Sequence, residues 1–194
     1  PPIPNELSHD TLKKIMPLVV QIKCSRDGGT SQGTGTIHAP TAGSTQWKVY
    51  TNLHVTGLEN KCSVILPTGV DYVPTKTYSS TLVGSGSYSL YPTIDFAVLN
   101  VDSSDSFDPF PLPICGVADV EIGDRITVFG YPAIGGNSLT VTDGIISGID
   151  YTAYGPIYKT SAKIDHGNSG GLAVDNNSKC SIGIPTWATS GTFD

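Results

Sequence analysis

Ser169 lies in the glycine-rich segment KIDHGNSGGLAV, residues 163–174. Gly167, Gly170 and Gly171 allow backbone angles and close approaches that a side chain would block, so this turn is expected to hold the serine in a special geometry. A nucleophilic serine needs such a geometry, and so does an ordinary tight turn. The segment makes Ser169 a candidate nucleophile, which would need a base and an acid.

The base must lie upstream, because no histidine follows Ser169. GNSGG also satisfies the G-x-S-x-G pattern of α/β-hydrolases, but in those enzymes the acid and then the histidine follow the serine. His54 in TNLHV is the favoured base, since a histidine on a strand end or loop can be held by a rigid scaffold while it reaches a neighbour. A structural role is its alternative. His9 is expected on a solvated helix face, His38 at a strand end, and His166 too close to the serine in sequence.

Asp95 in TIDFAVLNV is the candidate acid. It opens an apolar strand, where a carboxylate is costly unless it is paired or hydrogen-bonded. Accepting the Nδ1 proton of a histidine would meet that need and would fix the ring tautomer. The alternative is an aspartate that caps the turn before the strand. The resulting order of histidine, aspartate and serine is that of chymotrypsin, whereas subtilisin and the hydrolases have other orders.

Composition argues against several classes of partner. The net charge of −6 disfavours a nucleic acid or an anionic membrane, since both demand a basic surface. No apolar run approaches the roughly 20 residues of a membrane span. The N-terminus PPIPNE is neither a signal peptide nor a start methionine, which indicates a processed form or an excised part of a longer chain.

The pattern of cysteines does not predict a metal site. They form no CxxC pair and no Cys/His cluster with zinc spacing. Two disulfides are one interpretation, although four cysteines allow three connectivities, and four buried free thiols are the other. The four are Cys24, Cys62, Cys115 and Cys180.

The elements that must position these side chains are mainly strands. One short helix is predicted near the start, with Ser8 as N-cap, apolar Leu12 and Ile15, and Pro17 to end it. After it, short apolar and β-branched runs bounded by Gly, Pro, Asn or Asp recur along the chain, and such runs are typical of an all-β sandwich or barrel.

The Pro-rich segment DSFDPFPLPICG, residues 105–116, separates two sets of strands. We therefore expect the helix and a first β-barrel in residues 1–108, carrying the histidine and the aspartate. A linker and a second β-barrel are expected in residues 109–194, carrying the serine. The site would lie in the cleft between the two barrels.

Taken in order, these motifs resemble the chymotrypsin-like (trypsin-like) serine peptidases, and most of all the HtrA/DegP protease domain. KKIMPLVVQI resembles the family's helix and first strand, GTGTIHA its GSGSGF-type strand, and VYTNLHV its ILTNNHV strand. DFAVLNV resembles the segment with the acid, and KTSAKIDHGNSGG the loop with the nucleophile. The resemblance covers nearly the whole chain. It implies an all-β fold of two six-stranded antiparallel Greek-key β-barrels with a short N-terminal helix.

The resemblance implies a serine endopeptidase that acts on proteins or peptides and needs no cofactor. Ser169 would attack the scissile carbonyl and form an acyl-enzyme, His54 would take and return its proton, and Asp95 would orient His54. The backbone N–H groups of Gly167 and Ser169 would form the oxyanion hole. Oligomer formation is compatible with the family.

Four residues resemble the family's substrate-binding positions: Lys163, Thr186, Trp187 and Ala188. Residues 186–188 resemble the strand that pairs with the substrate backbone and walls the S1 pocket, which Ala188 would narrow. No aspartate lies at the pocket base, so Lys or Arg at P1 is disfavoured. Lys163 corresponds to the position at the bottom of the pocket. Its ammonium would favour acidic P1 residues if it pointed inward, and small aliphatic ones if it pointed outward.

Two residues depart from the family pattern. Asn168 replaces the aspartate that pairs with a freshly cut N-terminus in trypsin-type zymogens, so activation by that ion pair is not expected. His166 stands where HtrA members usually have proline, and it would either tune a pH response or substrate contact, or be a surface imidazole. HtrA proteins usually carry a PDZ domain after the protease domain, and this chain ends at Asp194.

The resemblance also makes Cys24 and Cys62 neighbours in the first barrel and predicts a disulfide between them. By the same comparison, Cys115 and Cys180 belong near the second barrel and form the other pair. Such bonds would fit a secreted or periplasmic location.

Two alternatives to the peptidase remain. One is a catalytically silent protease-fold protein that binds partners or acts as a chaperone, since a fold alone does not prove turnover. The other is an acyl-transfer enzyme that uses the same triad on small esters.

Overall fold

The computed structural model describes residues 6–26, 28–58, 61–68, 71–85, 94–133 and 138–186. Two antiparallel sheets account for most of them: a closed six-stranded barrel and a five-stranded sheet. The predicted all-β class is confirmed. None of the described helices is long and apolar enough to cross a membrane.

The predicted N-terminal helix is confirmed as α1, His9–Ile15. The Ser8 hydroxyl accepts a hydrogen bond from the Thr11 N–H at 3.2 Å, as expected of an N-cap. Ile15 is buried, and a 3₁₀ helix, Met16–Leu18, leads from α1 into the first strand. Pro17 lies in the 3₁₀ helix, where its missing N–H breaks no α-helical bond.

The first barrel closes because its first and fourth strands pair with each other. The strand order around the barrel is β1-β2-β3-β6-β5-β4. The strands are β1 Val19–Arg26, β2 Gly29–His38, β3 Ser44–Thr51, β4 Lys61–Thr68, β5 Val73–Ser85 and β6 Ala97–Phe107. A one-turn helix, α2 Leu53–Thr56, follows β3.

Buried and less buried residues alternate along the strands, and the buried side chains fill the barrel interior. Trp47 and Val49 of β3 are buried, as are Leu99 and Val101 of β6, and each pair has a less buried residue between its members. The Trp47 indole N–H donates to the Ser103 hydroxyl at 3.0 Å, so its polar atom is satisfied at the barrel end.

The second sheet has the order β11-β10-β7-β8-β9. Its strands are β7 Arg125–Gly130, β8 Thr140–Thr152, β9 Gly155–Thr160, β10 Leu172–Asp175 and β11 Cys180–Gly183, and a 3₁₀ helix, Val117–Asp119, precedes them. The resemblance implied six strands here, and the described part of the chain contains five. Residues 184–186, which follow β11, belong to no helix or strand, and the Pro185 carbonyl accepts from the Gly170 N–H at 3.0 Å. This segment therefore bonds to the loop that carries Ser169.

Both predicted disulfides are confirmed, and the interpretation as four free thiols is wrong. Cys24 and Cys62 are ladder partners of β1 and β4, so their bond joins the two strands that close the barrel. Cys115 lies before β7 and is joined to Cys180 at the start of β11.

We expect the double substitution Cys24→Ala and Cys62→Ala to lower the free energy of unfolding by about 2–4 kcal/mol, because the loop between these residues is no longer closed in the unfolded chain. Either single substitution should cost nearly as much as the double one, since the bond is lost at the first change. Urea unfolding of the four proteins without reductant measures this. Additive losses would contradict a bond between the two residues.

Candidate active site

Ser169 lies in the segment between β9 and β10, and we call residues 165–171 the nucleophile loop. Gly167 has a φ of +98° and Gly170 a φ of +85°, a region that favours glycine. A Cβ at Gly167 would overlap the Tyr131 carbonyl, and one at Gly170 would overlap the Thr34 carbonyl. The prediction that these glycines allow unusual angles and close approaches is confirmed.

The backbone of the nucleophile loop is held by its own hydrogen bonds. The Asn168 N–H donates to the Asp165 carbonyl at 3.0 Å, and the Gly171 N–H donates to the Asn168 carbonyl at 2.9 Å. The N–H groups of Gly167 and Ser169 are different, because neither has an acceptor among the described residues. Gly167 is buried and Ser169 half-buried. Two N–H donors of one turn are thus left for another acceptor.

Strand β2 brings the nucleophile loop next to α2. The Thr34 N–H donates to the Ser169 carbonyl at 2.8 Å. A Cβ at the neighbouring Gly33 would meet the Val55 side chain and lie 2.9 Å from that same carbonyl. Val55 follows His54 in α2, so the close packing around Gly33 brings the backbone of Ser169 and the helix of His54 to one place.

His54 lies in α2, rather than in the strand end or loop that the sequence predicts. Strand β3 ends at Thr51, and the Gly57 N–H donates to the Leu53 carbonyl at 2.6 Å at the end of the helical turn. The first N–H groups of such a turn need acceptors outside it. The carboxylate of Asp95 accepts one of them, the His54 N–H, at 2.9 Å.

Asp95 and His54 also meet through their side chains. The Nδ1 atom of His54 lies 2.5 Å from Oδ2 of Asp95, whose side chain is only 5% exposed. Burial by itself raises the pKa of the Asp95 carboxyl. Hydrogen bonds from the His54 ring, the His54 N–H and the Leu53 N–H outweigh it and hold that pKa below its usual value. The carboxylate is therefore ionised at neutral pH, and it fixes Nδ1 as the protonated ring nitrogen.

Sequence reasoning missed Asn52, which links Asp95 to Thr186. The Asn52 side chain is buried, and its Nδ2 donates to the Asp95 carbonyl at 2.7 Å and to the Thr186 hydroxyl at 3.1 Å. Both partners are distant in sequence, so only its position two residues before His54 could have drawn attention to it. Thr186 also donates to the Ile184 carbonyl at 3.1 Å.

The other predicted substrate-binding residues are less fully described. Lys163 is exposed, and its carbonyl accepts from the Thr142 hydroxyl at 3.0 Å. Trp187 and Ala188 lie outside the described residues. In the ranges that the structure describes, no group of three His, Cys, Asp or Glu residues could hold a metal ion.

Three histidines are found outside this arrangement. His9 and His166 are exposed, and the His166 carbonyl accepts from the Ala133 N–H at 2.7 Å. His38 packs against the rings of Tyr50 and Phe110, at centroid distances of 4.0 and 4.9 Å. Burial lowers the pKa of His38 to about 4, so the ring is neutral at pH 7. Within the described chain, His54 is the histidine paired with a carboxylate.

Comparison with known proteins agrees with this geometry. The family model for the trypsin-like peptidase domain matches residues 33–184, a span that contains His54, Asp95 and Ser169. The chain belongs to the trypsin-like peptidase family. The predicted resemblance to its HtrA branch is also confirmed.

Two curated relatives and one solved structure show this closeness. The chain is 30% identical over 200 residues to the mitochondrial serine protease HTRA2 of Bos taurus, covering 94% of this chain and 39% of the relative. It is 32% identical over 133 residues to the serine endoprotease DegS of Escherichia coli (strain K12), covering 66% and 33%. The serine endoprotease from Yersinia pestis superposes with a TM-score of 0.68 at 26% identity, covering 95% of this chain and 59% of that one. The chain thus spans between a third and two fifths of these two curated relatives.

Protonation of His38 is expected to destabilise this trypsin-like domain at low pH. Because the folded-state pKa of about 4 lies below the ordinary value of 6.5, the unfolded chain binds more protons between these values. The free energy of unfolding should fall as the pH drops from 6.5 to 4, by at most about 1.4 kcal/mol per pH unit. His38→Phe keeps a ring beside Tyr50 and Phe110 and should remove this contribution. Urea unfolding of both proteins at pH 4 to 7 measures it, and parallel curves would contradict the assignment.

Proposed function

We propose that the chain is a serine endopeptidase that cleaves peptide bonds through an acyl-enzyme at Ser169. His54 acts as the general base and then the general acid, and Asp95 orients it. The pairing of His54 Nδ1 with Asp95 Oδ2 carries this proposal. A ring that donates through Nδ1 has Nε2 as its basic atom, which is the atom that must take the serine proton.

The turn at Gly167 supports the second part of the mechanism, stabilisation of the oxyanion. Attack by the serine oxygen converts the substrate carbonyl to a tetrahedral oxyanion, which the N–H groups of Gly167 and Ser169 would bind. Neither N–H has an acceptor within the described residues. The His166 carbonyl accepts a hydrogen bond from the Ala133 N–H. In a trans peptide the N–H and the carbonyl point in opposite directions, so the Gly167 N–H points away from Ala133. Collapse of the intermediate then expels the amine, to which His54 returns the proton.

The compartment that we propose is an oxidising one, because both disulfides must persist there. A secreted or periplasmic location meets this condition. The catalytically silent binding protein has no specific observation in its favour.

Ser169 is expected to react with a fluorophosphonate at neutral pH, forming a bond from its Oγ to phosphorus and releasing fluoride. Intact-mass analysis should find one adduct on the native chain and none on Ser169→Ala. Ser104→Ala removes an exposed serine on β6 and serves as the matched control, which should react like the native chain. Asp95→Asn should react roughly 10⁴-fold more slowly, because the ring loses its orienting carboxylate.

Two outcomes would count against the proposed peptidase. An adduct that persists in Ser169→Ala would assign the nucleophile to another residue. Complete absence of reaction in the native protein would favour the binding protein. If the native protein does react, comparing its rates of hydrolysis of a peptide and of the matching ester separates a peptidase from an esterase.

Small aliphatic P1 residues are the proposed preference, and the exposed side chain of Lys163 supports it. A peptide library should be cleaved after such residues and not after Lys or Arg. Lys163→Ala should leave the preference unchanged, since the ammonium group is not expected to contact the substrate. A shift away from acidic P1 residues in this variant would show instead that the ammonium lines the pocket.

A further inference from the structure

Thr34 is a buried residue of β2 whose polar atoms are used at the boundary with the nucleophile loop. Its hydroxyl donates to the Gly167 carbonyl at 2.6 Å and accepts from the Tyr131 N–H at 2.9 Å. Its own N–H donates to the Ser169 carbonyl at 2.8 Å. One side chain of the first barrel therefore ties together the end of β7 and the turn that carries Ser169.

The Thr34 hydroxyl restrains a peptide plane that is otherwise held at one side. The Gly167 carbonyl and the Asn168 N–H belong to the same planar peptide. The Asn168 N–H donates to the Asp165 carbonyl at 3.0 Å, and the hydroxyl holds the opposite edge of the plane. A glycine with a positive φ has few intrinsic barriers to rotation, so the loop depends on such bonds to keep one conformation.

We propose that Thr34 is a positioning residue that keeps the N–H of Gly167 aimed at the oxyanion. It does not contact the substrate. Its hydroxyl holds the peptide between Gly167 and Asn168, and through Gly167 it restrains the preceding peptide, which carries the Gly167 N–H. This inference rests on the proposed peptidase activity. It adds a hydroxyl from the first barrel to the groups that hold the oxyanion hole on the nucleophile loop, so one contact between the two sheets contributes to the rate of the chemical step.

Thr34→Val tests this inference because valine keeps the shape of threonine and removes the hydroxyl. With saturating fluorophosphonate, we expect the maximal rate of inactivation to fall about 10- to 100-fold, somewhat less than for removal of an oxyanion donor itself. The concentration giving half-maximal rate should change by less than about threefold, since reagent binding is not the step affected. The midpoint of the pH profile should also stay in place, because the pairing of His54 with Asp95 is intact.

Thr36→Val is the matched control. Thr36 is also buried in β2, two residues further on, and its hydroxyl has no partner within the described residues. The same chemical change there should leave the inactivation rate as in the native protein. Thr34→Ser retains the hydroxyl and should keep the rate within about threefold of native. Circular dichroism and urea unfolding report whether each variant is folded.

The possible results separate this inference from the proposed function. A folded Thr34→Val that reacts at the native rate overturns the role of Thr34 while leaving the peptidase intact. Equal losses in both valine variants overturn it too, since the effect then comes from valine in β2. If Thr34→Val does not fold, a large loss of rate in folded Thr34→Ser overturns the role of the hydroxyl, and a retained rate supports it. A native protein that does not react removes both the peptidase and the inference.

Discussion

The hydrogen bond from the Thr34 N–H to the Ser169 carbonyl crosses the boundary between the two sheets, and the arrangement of the site depends on the close approach that it represents. The approach requires glycine at Gly33 and Gly170, because a Cβ at either would overlap the opposite segment. With these glycines, β2 packs against α2 on one side and the nucleophile loop on the other. The same strand then positions α2, which contains His54, and the nucleophile loop, which contains Ser169.

The second requirement is electrostatic, and Asp95 meets it with both carboxylate oxygens. One accepts the His54 N–H and the other pairs with the ring, so a carboxylate taken out of water is compensated by charge-assisted bonds. The same carboxylate caps the start of the helical turn and orients the imidazole. Asn52 extends the network to Thr186 on the segment after β11. Helix start, ring orientation and the placement of this segment are thus coupled.

Much of the fold and of the site could be predicted from local patterns. The glycines around Ser169, the cost of Asp95 before an apolar strand, and the order of His54, Asp95 and Ser169 each point to the site. The helical turn at His54 was not predictable from periodicity, because the acceptor of its N–H lies in a distant segment. Thr34 and Asn52 were missed for the same reason: a polar residue in a strand or after one gives no local sign of its partner. The disulfide pairing followed only from the resemblance, since the residues alone left three connectivities open.

The proposed peptidase depends on attack by Ser169 while the N–H groups of Gly167 and Ser169 receive the oxyanion. A crystal structure of the native protein after fluorophosphonate treatment tests it most directly, because the phosphonyl oxygen stands in for the oxyanion. We expect phosphorus on Ser169 Oγ and the phosphonyl oxygen within about 3 Å of both nitrogens. An adduct on another side chain, or a phosphonyl oxygen that points away from both N–H groups, would contradict it.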